Sequence, residues 1–101
     1  MTEAEIKSLI IKTLRRAGGL PVTIWQGPMG RKGISDLLVC LDGRFIAVEV
    51  KRPGGNATPE QLQFIREVQE AGGIGFIADS VDVVVERLNL HEKLMPLFQS
   101  A

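Results

Sequence analysis

The sequence predicts an α/β domain, a small mixed sheet flanked by helices with its elements in the order αβββαβ. Three observations carry that reading. Capped helix starts stand at Thr2 and at Thr58. Asp42-Gly43, the strongest short-range signal for a two-residue turn, lies between two apolar runs and predicts a hairpin. A further short apolar run, Ile74–Ala78, follows the second helix, so strands stand on both sides of a helix. At 101 residues the chain is expected to form one domain, 1–101, with a modest core.

The elements follow in order. Thr2 is an N-cap and Glu5 closes its capping box. Ile6, Leu9, Ile10, Thr13, Leu14 and Ala17 make one helical stripe that Gly18-Gly19 ends. Val22–Gln26 alternates as a short strand, and 27–33 is a turn-rich loop carrying Arg31 and Lys32. The hairpin runs from Asp36 to Lys51, and Pro53–Ala57 is a second loop. Thr58 caps the next helix, with Pro59 at its first position and Gln61 closing a second capping box. Leu62, Ile65, Val68 and Gln69 continue its face to Gly72-Gly73, and Ile74–Ala78 is a buried strand. Ser80 caps a helix through Val81–Leu88, although its β-branched run also suits a strand. His91–Phe98 is a short terminal helix broken by Pro96.

Bulk properties narrow the function. No apolar run approaches the length of a membrane span and the charged N-terminus is no signal peptide, so no membrane partner is expected. A lone cysteine, Cys40, permits no internal disulfide and reads as a small core residue. That fits a reducing, intracellular compartment, the cytoplasm. The formal net charge is zero, yet nine Lys/Arg face five Asp/Glu through Pro53, and three face seven after it. Such asymmetry permits contact with a phosphate backbone without demanding it. No Cys/His cluster suggests zinc, and His91, alone and far in sequence from the hairpin, reads as a surface or capping residue.

The chemistry comes from the hairpin's register. If Asp42 and Gly43 form the loop, Leu41 pairs with Arg44 and Asp36 falls opposite Glu49. Two carboxylates that close repel unless a proton or cation lies between them. Alternation puts Lys51 on the face of Glu49, with Val48 and Val50 pointing the other way. Oxygen ligands of this kind suit Mg²⁺ or Mn²⁺, and the Val50 carbonyl is a candidate third protein ligand. A metal there would polarise a phosphoryl oxygen, and Lys51 would orient the nucleophile or stabilise charge at phosphorus. The plainer alternative is a strand-end ion pair between Glu49 and Lys51, with Asp36 capping a loop.

Gly33-Ile-Ser-Asp36 and Glu49-Val50-Lys51 resemble the two motifs of the PD-(D/E)xK nuclease superfamily, with Ser35 where that pattern commonly has Pro. Nearly the whole chain resembles its compact VRR-NUC (virus-type replication-repair nuclease) branch, through Glu5, the Thr58–Gln61 helix start and Ala71-Gly-Gly73. The resemblance implies a restriction-endonuclease-like core and a Mg²⁺- or Mn²⁺-dependent DNA endonuclease. It implies metal ligation by Asp36 and Glu49, catalysis by Lys51, and supporting roles for Glu5 and Gln61. Those two also close capping boxes, and Glu3 is the alternative acid on the first helix. Arg31 and Lys32 are candidates to hold phosphates, with Arg15, Arg16 and Lys12 a second basic cluster. Trp25 is expected in a partly buried core or dimer-interface position, or stacked on a base. The branch further implies a homodimer acting on branched DNA such as the four-way (Holliday) junction, in DNA repair, in the host cytoplasm if the chain is viral. The alternatives are a nucleic-acid-binding or assembly module that has lost catalysis, and a nuclease acting on flaps or RNA.

Overall fold

A computed structural model of the chain describes residues 1–25 and 30–95. Its elements are α1 (Glu3–Arg16), β1 (Leu20–Thr23), β2 (Leu37–Leu41), β3 (Arg44–Val50), α2 (Pro59–Glu70), β4 (Ile74–Ala78), α3 (Val81–Arg87) and α4 (His91–Leu94). The sheet order is β1-β2-β3-β4. The first three strands are antiparallel neighbours, and β4 runs parallel to β3 after the crossover through α2. This is the small mixed sheet that the sequence predicts, with helices on both faces.

The hairpin has the predicted register. Asp42 and Gly43 both take left-handed backbone angles, φ 53° and 75°, the requirement of a type I′ turn. Leu41 accordingly pairs with Arg44, and the ladder runs on to Leu37 opposite Val48. Alternation then divides the two strands between faces. Leu37, Val39, Leu41, Ile46, Val48 and Val50 join Ile6, Ile10 and Leu14 of α1, Val84 of α3 and Leu90 in one buried cluster. Burying each such side chain is worth roughly 1.5–3 kcal/mol, so this face supplies most of the core. α2 lies on the opposite face, over β3 and β4, and buries Ile65 and Val68. Both of its ends are tied down: Thr58 Oγ1 accepts from Gln61 N at 3.2 Å, and Gln69 Nε2 donates to Gly75 O at 2.8 Å.

Several expectations need correction. β1 begins at Leu20, two residues before the expected Val22, because β2 is long enough to pair Cys40 with Leu20. Pro21 hid this start, since Pro within a run argues against a strand. On an edge strand its missing N–H costs nothing. Gln26, at the far end of the expected strand, lies outside the described residues. Cys40 is exposed, not core. With Leu37, Val39 and Leu41 pointing inward, residue 40 must face the α2 side, and α2 covers β3 and β4 instead. Trp25 is 84% exposed, not partly buried. The Val81–Leu88 segment is a helix through Arg87, and Ser80 Oγ accepts from Val83 N at 3.3 Å as its cap. α4 starts at His91, and Lys93 ties it to Asp42 at the hairpin tip across 2.6 Å. Pro96 and Phe98 lie outside the described residues.

Candidate active site

Asp36 stands one residue before β2. Its carbonyl accepts from Ile24 N at 3.0 Å, which carries the β1–β2 pairing one step past Thr23. Its carboxylate reaches across to β3, where Oδ2 accepts from Val50 N at 3.0 Å. The hairpin register, carried one residue beyond Leu37–Val48, therefore sets Asp36 opposite Glu49. Glu49 is on the α2 side of β3 and only 1% exposed. Lys51 follows on the same side, held there because its N–H continues the parallel ladder to Ala78 O at 3.0 Å.

Gln61 completes the group, and its capping box explains how. Oε1 accepts from Thr58 N at 2.8 Å, which leaves the amide nitrogen to point at the sheet. Nε2 then donates to Glu49 Oε2 at 3.3 Å, and Lys51 Nζ lies 3.7 Å from the same oxygen. Capping and site-building are one act for this residue, where the sequence had left them as rivals. Both partners of Glu49 crowd one oxygen. Its other oxygen, Oε1, is buried without a hydrogen-bond partner. Ser35 Oγ, just before Asp36, is buried without one as well.

A carboxylate so placed resists ionisation. Burial, followed by a hydrogen bond that the Asp36 and Glu49 carboxyls can make only by sharing a proton, and by the Asp36 charge, pushes Glu49 up to about 8, against the opposing pull of Lys51. Near neutral pH a proton therefore sits where two acids converge. A hard divalent cation fits this donor set, because an unpartnered buried oxygen and a neighbouring carboxylate are what such an ion replaces protons at. The Val50 carbonyl belongs to the residue between Glu49 and Lys51. Among the described residues no group of three or more His, Cys, Asp or Glu gathers to hold an ion. The rest of a coordination shell would be water and substrate phosphate, as is usual for Mg²⁺.

The structure thus brings together Asp36, Glu49, Lys51 and Gln61. It keeps Glu5 in its capping box, where Oε1 accepts from Thr2 N at 2.9 Å. Those bonds, the backbone one foremost, hold the exposed Glu5 carboxyl below its ordinary range. α1 packs on the other face of the sheet, although its first turns share the centre's end of the molecule: Met1, Ile6, Leu9 and Pro53 line one cavity of about 380 Å³. Arg15 and Arg16 occupy the last turn of α1, where cations suit the helix dipole, and they lead into the end of β1 remote from Asp36. Lys32 is exposed. Arg31 is already engaged: its guanidinium pairs with Glu67 of α2 and lies 5.3 Å from the centroid of the Phe64 ring. The bond to Arg31 holds the Glu67 carboxyl below its usual range. Sequence reasoning missed this pairing and the buried Ser35 hydroxyl. The spacing of Phe64 and Glu67 on one helix face was the available signal for the first.

Comparison with known proteins bears on the same residues. The VRR-NUC domain matches residues 25–82, a span that holds Asp36, Glu49, Lys51 and Gln61 and leaves out Glu5, Arg15 and Arg16. "Putative nuclease p44" of Acyrthosiphon pisum secondary endosymbiont phage 1 is 34% identical over 82 residues, covering 80% of this chain and 86% of that protein. A solved structure titled "VRR_NUC domain" superposes with a TM-score of 0.75 at 26% identity, covering 90% of this chain and 99% of its own. A second, "VRR_NUC domain protein", gives 0.70 at 18% identity, covering 93% and 90%, and speaks to the fold alone. The match spans more than half the chain and takes in the acidic pair, the lysine and the capping glutamine, and on that ground the chain belongs to the VRR-NUC family of nucleases.

Proposed function

We propose that the chain is a Mg²⁺- or Mn²⁺-dependent DNA endonuclease that acts on branched DNA, such as a four-way junction, as a homodimer. One observation carries the metal reading: Glu49 is buried, with one oxygen unpartnered, beside the carboxylate of Asp36. In this reading Asp36 and Glu49 hold the ion, with the Val50 carbonyl as a third protein ligand. The ion, when bound, withdraws charge from a phosphoryl oxygen of the substrate and acidifies water. Lys51 Nζ, placed beside Glu49 by strand alternation, orients the attacking water and stabilises the negative charge that grows on the phosphoryl oxygens as water adds and the P–O bond to the leaving oxygen breaks. Gln61 holds Glu49 Oε2 in place, so that the free oxygen faces the centre. Lys32, Arg15 and Arg16 contact the DNA backbone, and Arg31 does so if phosphate displaces Glu67. Glu5 supports the reaction through its second carboxylate oxygen, since its cap uses Oε1 alone.

The homodimer has its own support. α2 leaves the β1–β2 half of its face bare, where Leu20 is 66% and Val22 49% exposed beside Phe45 and Cys40. An apolar patch contiguous with a catalytic face suits a second copy better than a phosphate backbone. Val22→Asp should turn a dimer into a monomer in analytical ultracentrifugation; wild-type protein that sediments as a monomer would remove this part of the reading.

The activity test is cleavage of labelled four-way junction, flap, plain duplex and RNA in Mg²⁺, Mn²⁺ and EDTA, beside Lys51→Ala. Cutting that needs metal and is lost in the variant is the expected result, with the junction cut fastest. Binding without cutting in either metal would make the chain a non-catalytic module.

A further inference from the structure

We propose that Gly33 is a positioning residue for the reaction: its contact with Glu60 registers the Asp36 loop against α2, so that Asp36 and Gln61 converge on the same Glu49. The inference rests on the reading of Asp36 and Glu49 as metal ligands. Gly33 is buried, with φ at 86°. A Cβ built on it would lie 2.4 Å from Glu60 O, 2.5 Å from Glu60 C and 2.8 Å from Glu60 Cβ. Ordinary contacts begin near ~3.5 Å, so any L side chain would push the two backbones apart by about 1 Å. Glu60 cannot yield by itself. It sits in the first turn of α2, between the Thr58 cap and the Gln61 that closes it.

The location gives the contact its consequence. Gly33 is three residues before Asp36, and Glu60 immediately precedes Gln61. Beyond Gly33 the loop is fastened to the sheet, through Ile24 N to Asp36 O and Val50 N to Asp36 Oδ2. Before Gly33 it is fastened to α2 a second time, by Arg31 against Glu67 and the Phe64 ring. Residues 31 and 33 both lie along α2, and residue 36, just before β2, is bonded to Ile24 beyond the end of β1 and to Val50 of β3. A displacement at 33 is therefore passed on to Asp36 and to the first turn that aims Gln61, as well as to the weaker Arg31 tie. A shift near 1 Å at a reacting centre can cost up to about 10²-fold in rate. The Arg31–Glu67 pair is the lesser tie, because an exposed ion pair contributes little. Arg31 is accordingly a positioning residue before it is a phosphate contact.

The test uses full-length Gly33→Ala, with Arg31→Ala as a milder second variant and Asp36→Asn as reference. DNA-free Mn²⁺ titration calorimetry, well below each variant's melting temperature, is read beside kcat and KM on the DNA substrate that the wild type cleaves. Gly33→Ala should lower Mn²⁺ affinity at least tenfold and kcat by roughly 10–100-fold, with KM within about twofold. Arg31→Ala should move the same two quantities in the same direction, by roughly two- to fivefold, and decides the matter if Gly33→Ala does not fold. Wild-type Mn²⁺ affinity and kcat in Gly33→Ala, with Asp36→Asn weakened, would overturn the positioning role and leave the metal reading intact. So would an Arg31→Ala effect confined to KM. An Asp36→Asn variant that binds Mn²⁺ like wild type would overturn the metal reading itself.

Discussion

The two faces of one hairpin differ more than any two elements of this protein. On the α1 side, Leu37, Val39, Leu41, Ile46, Val48 and Val50 are all buried and all apolar. On the α2 side, the alternate residues of the same strands run from Asp36 and Glu49 at one end to exposed Cys40 and Phe45 at the other. The strands share a backbone, a turn and a register, so the contrast comes from the side chains and from the helix that covers each face. One face holds the molecule together. It thereby fixes the backbone on which the other face can hold two acids and a lysine in an arrangement that is costly by itself.

This division predicts that activity and stability separate by face. Lys51→Ala should lower cleavage by roughly 10²–10³-fold in single-turnover assays while its melting temperature stays near that of the wild type. Ile10→Ala, in the core on the α1 side, should do the reverse. It should cost about 2–5 kcal/mol in chemical denaturation and leave cleavage near normal well below its melting point. A lysine variant that unfolds, or a core variant that folds well and does not cut, would break the comparison.

The acidic face should also destabilise the metal-free protein in a pH-dependent way. Glu49 ordinarily titrates near 4.5 and is pushed up to about 8 in the fold, so the folded state binds the extra proton between those values. Stability should therefore be greatest at the acid end of that window and decline as pH rises toward 8, by an amount on the order of 4 kcal/mol. Glu49→Gln should flatten that decline in denaturant titrations at several pH values. A smaller effect, about 1 kcal/mol, is expected from Asp36→Asn, which should melt higher than wild type without metal at pH 8 because one of two converging charges is gone. The smallest effect belongs to Glu5→Gln. The amide keeps the capping box, so stability should stay near wild type and cleavage should fall by less than about tenfold. A larger fall would give Glu5 more than a supporting role.

Much of this was legible in the chain because the deciding signals are local. Asp42-Gly43 fixes a turn, the turn fixes a register, and the register brings Asp36 to Glu49 with no knowledge of the rest of the fold. Thr58-Pro-Glu-Gln61 likewise fixes a helix start. What was not legible depends on which element covers which face. Cys40 sits in an apolar run that reads as core, and only the placement of α2 over β3 and β4 leaves it exposed. Arg31 reads as a free cation in a basic loop, and only the packing of that loop along α2 gives it Glu67 and Phe64. Gln61 was ambiguous for a different reason. Its side chain has two ends, and the cap occupies one while the site takes the other.

In the proposed reading Asp36 and Glu49 exchange a proton for a divalent ion. Titrating Mn²⁺ into DNA-free protein at pH 6.5, by calorimetry in buffers of different ionisation enthalpy, probes that exchange itself. The expected result is Mn²⁺ binding coupled to release of about one proton per chain, with affinity rising toward pH 8 and both effects lost in Glu49→Gln. Binding that releases no proton, or that survives unchanged in Glu49→Gln, would contradict the account.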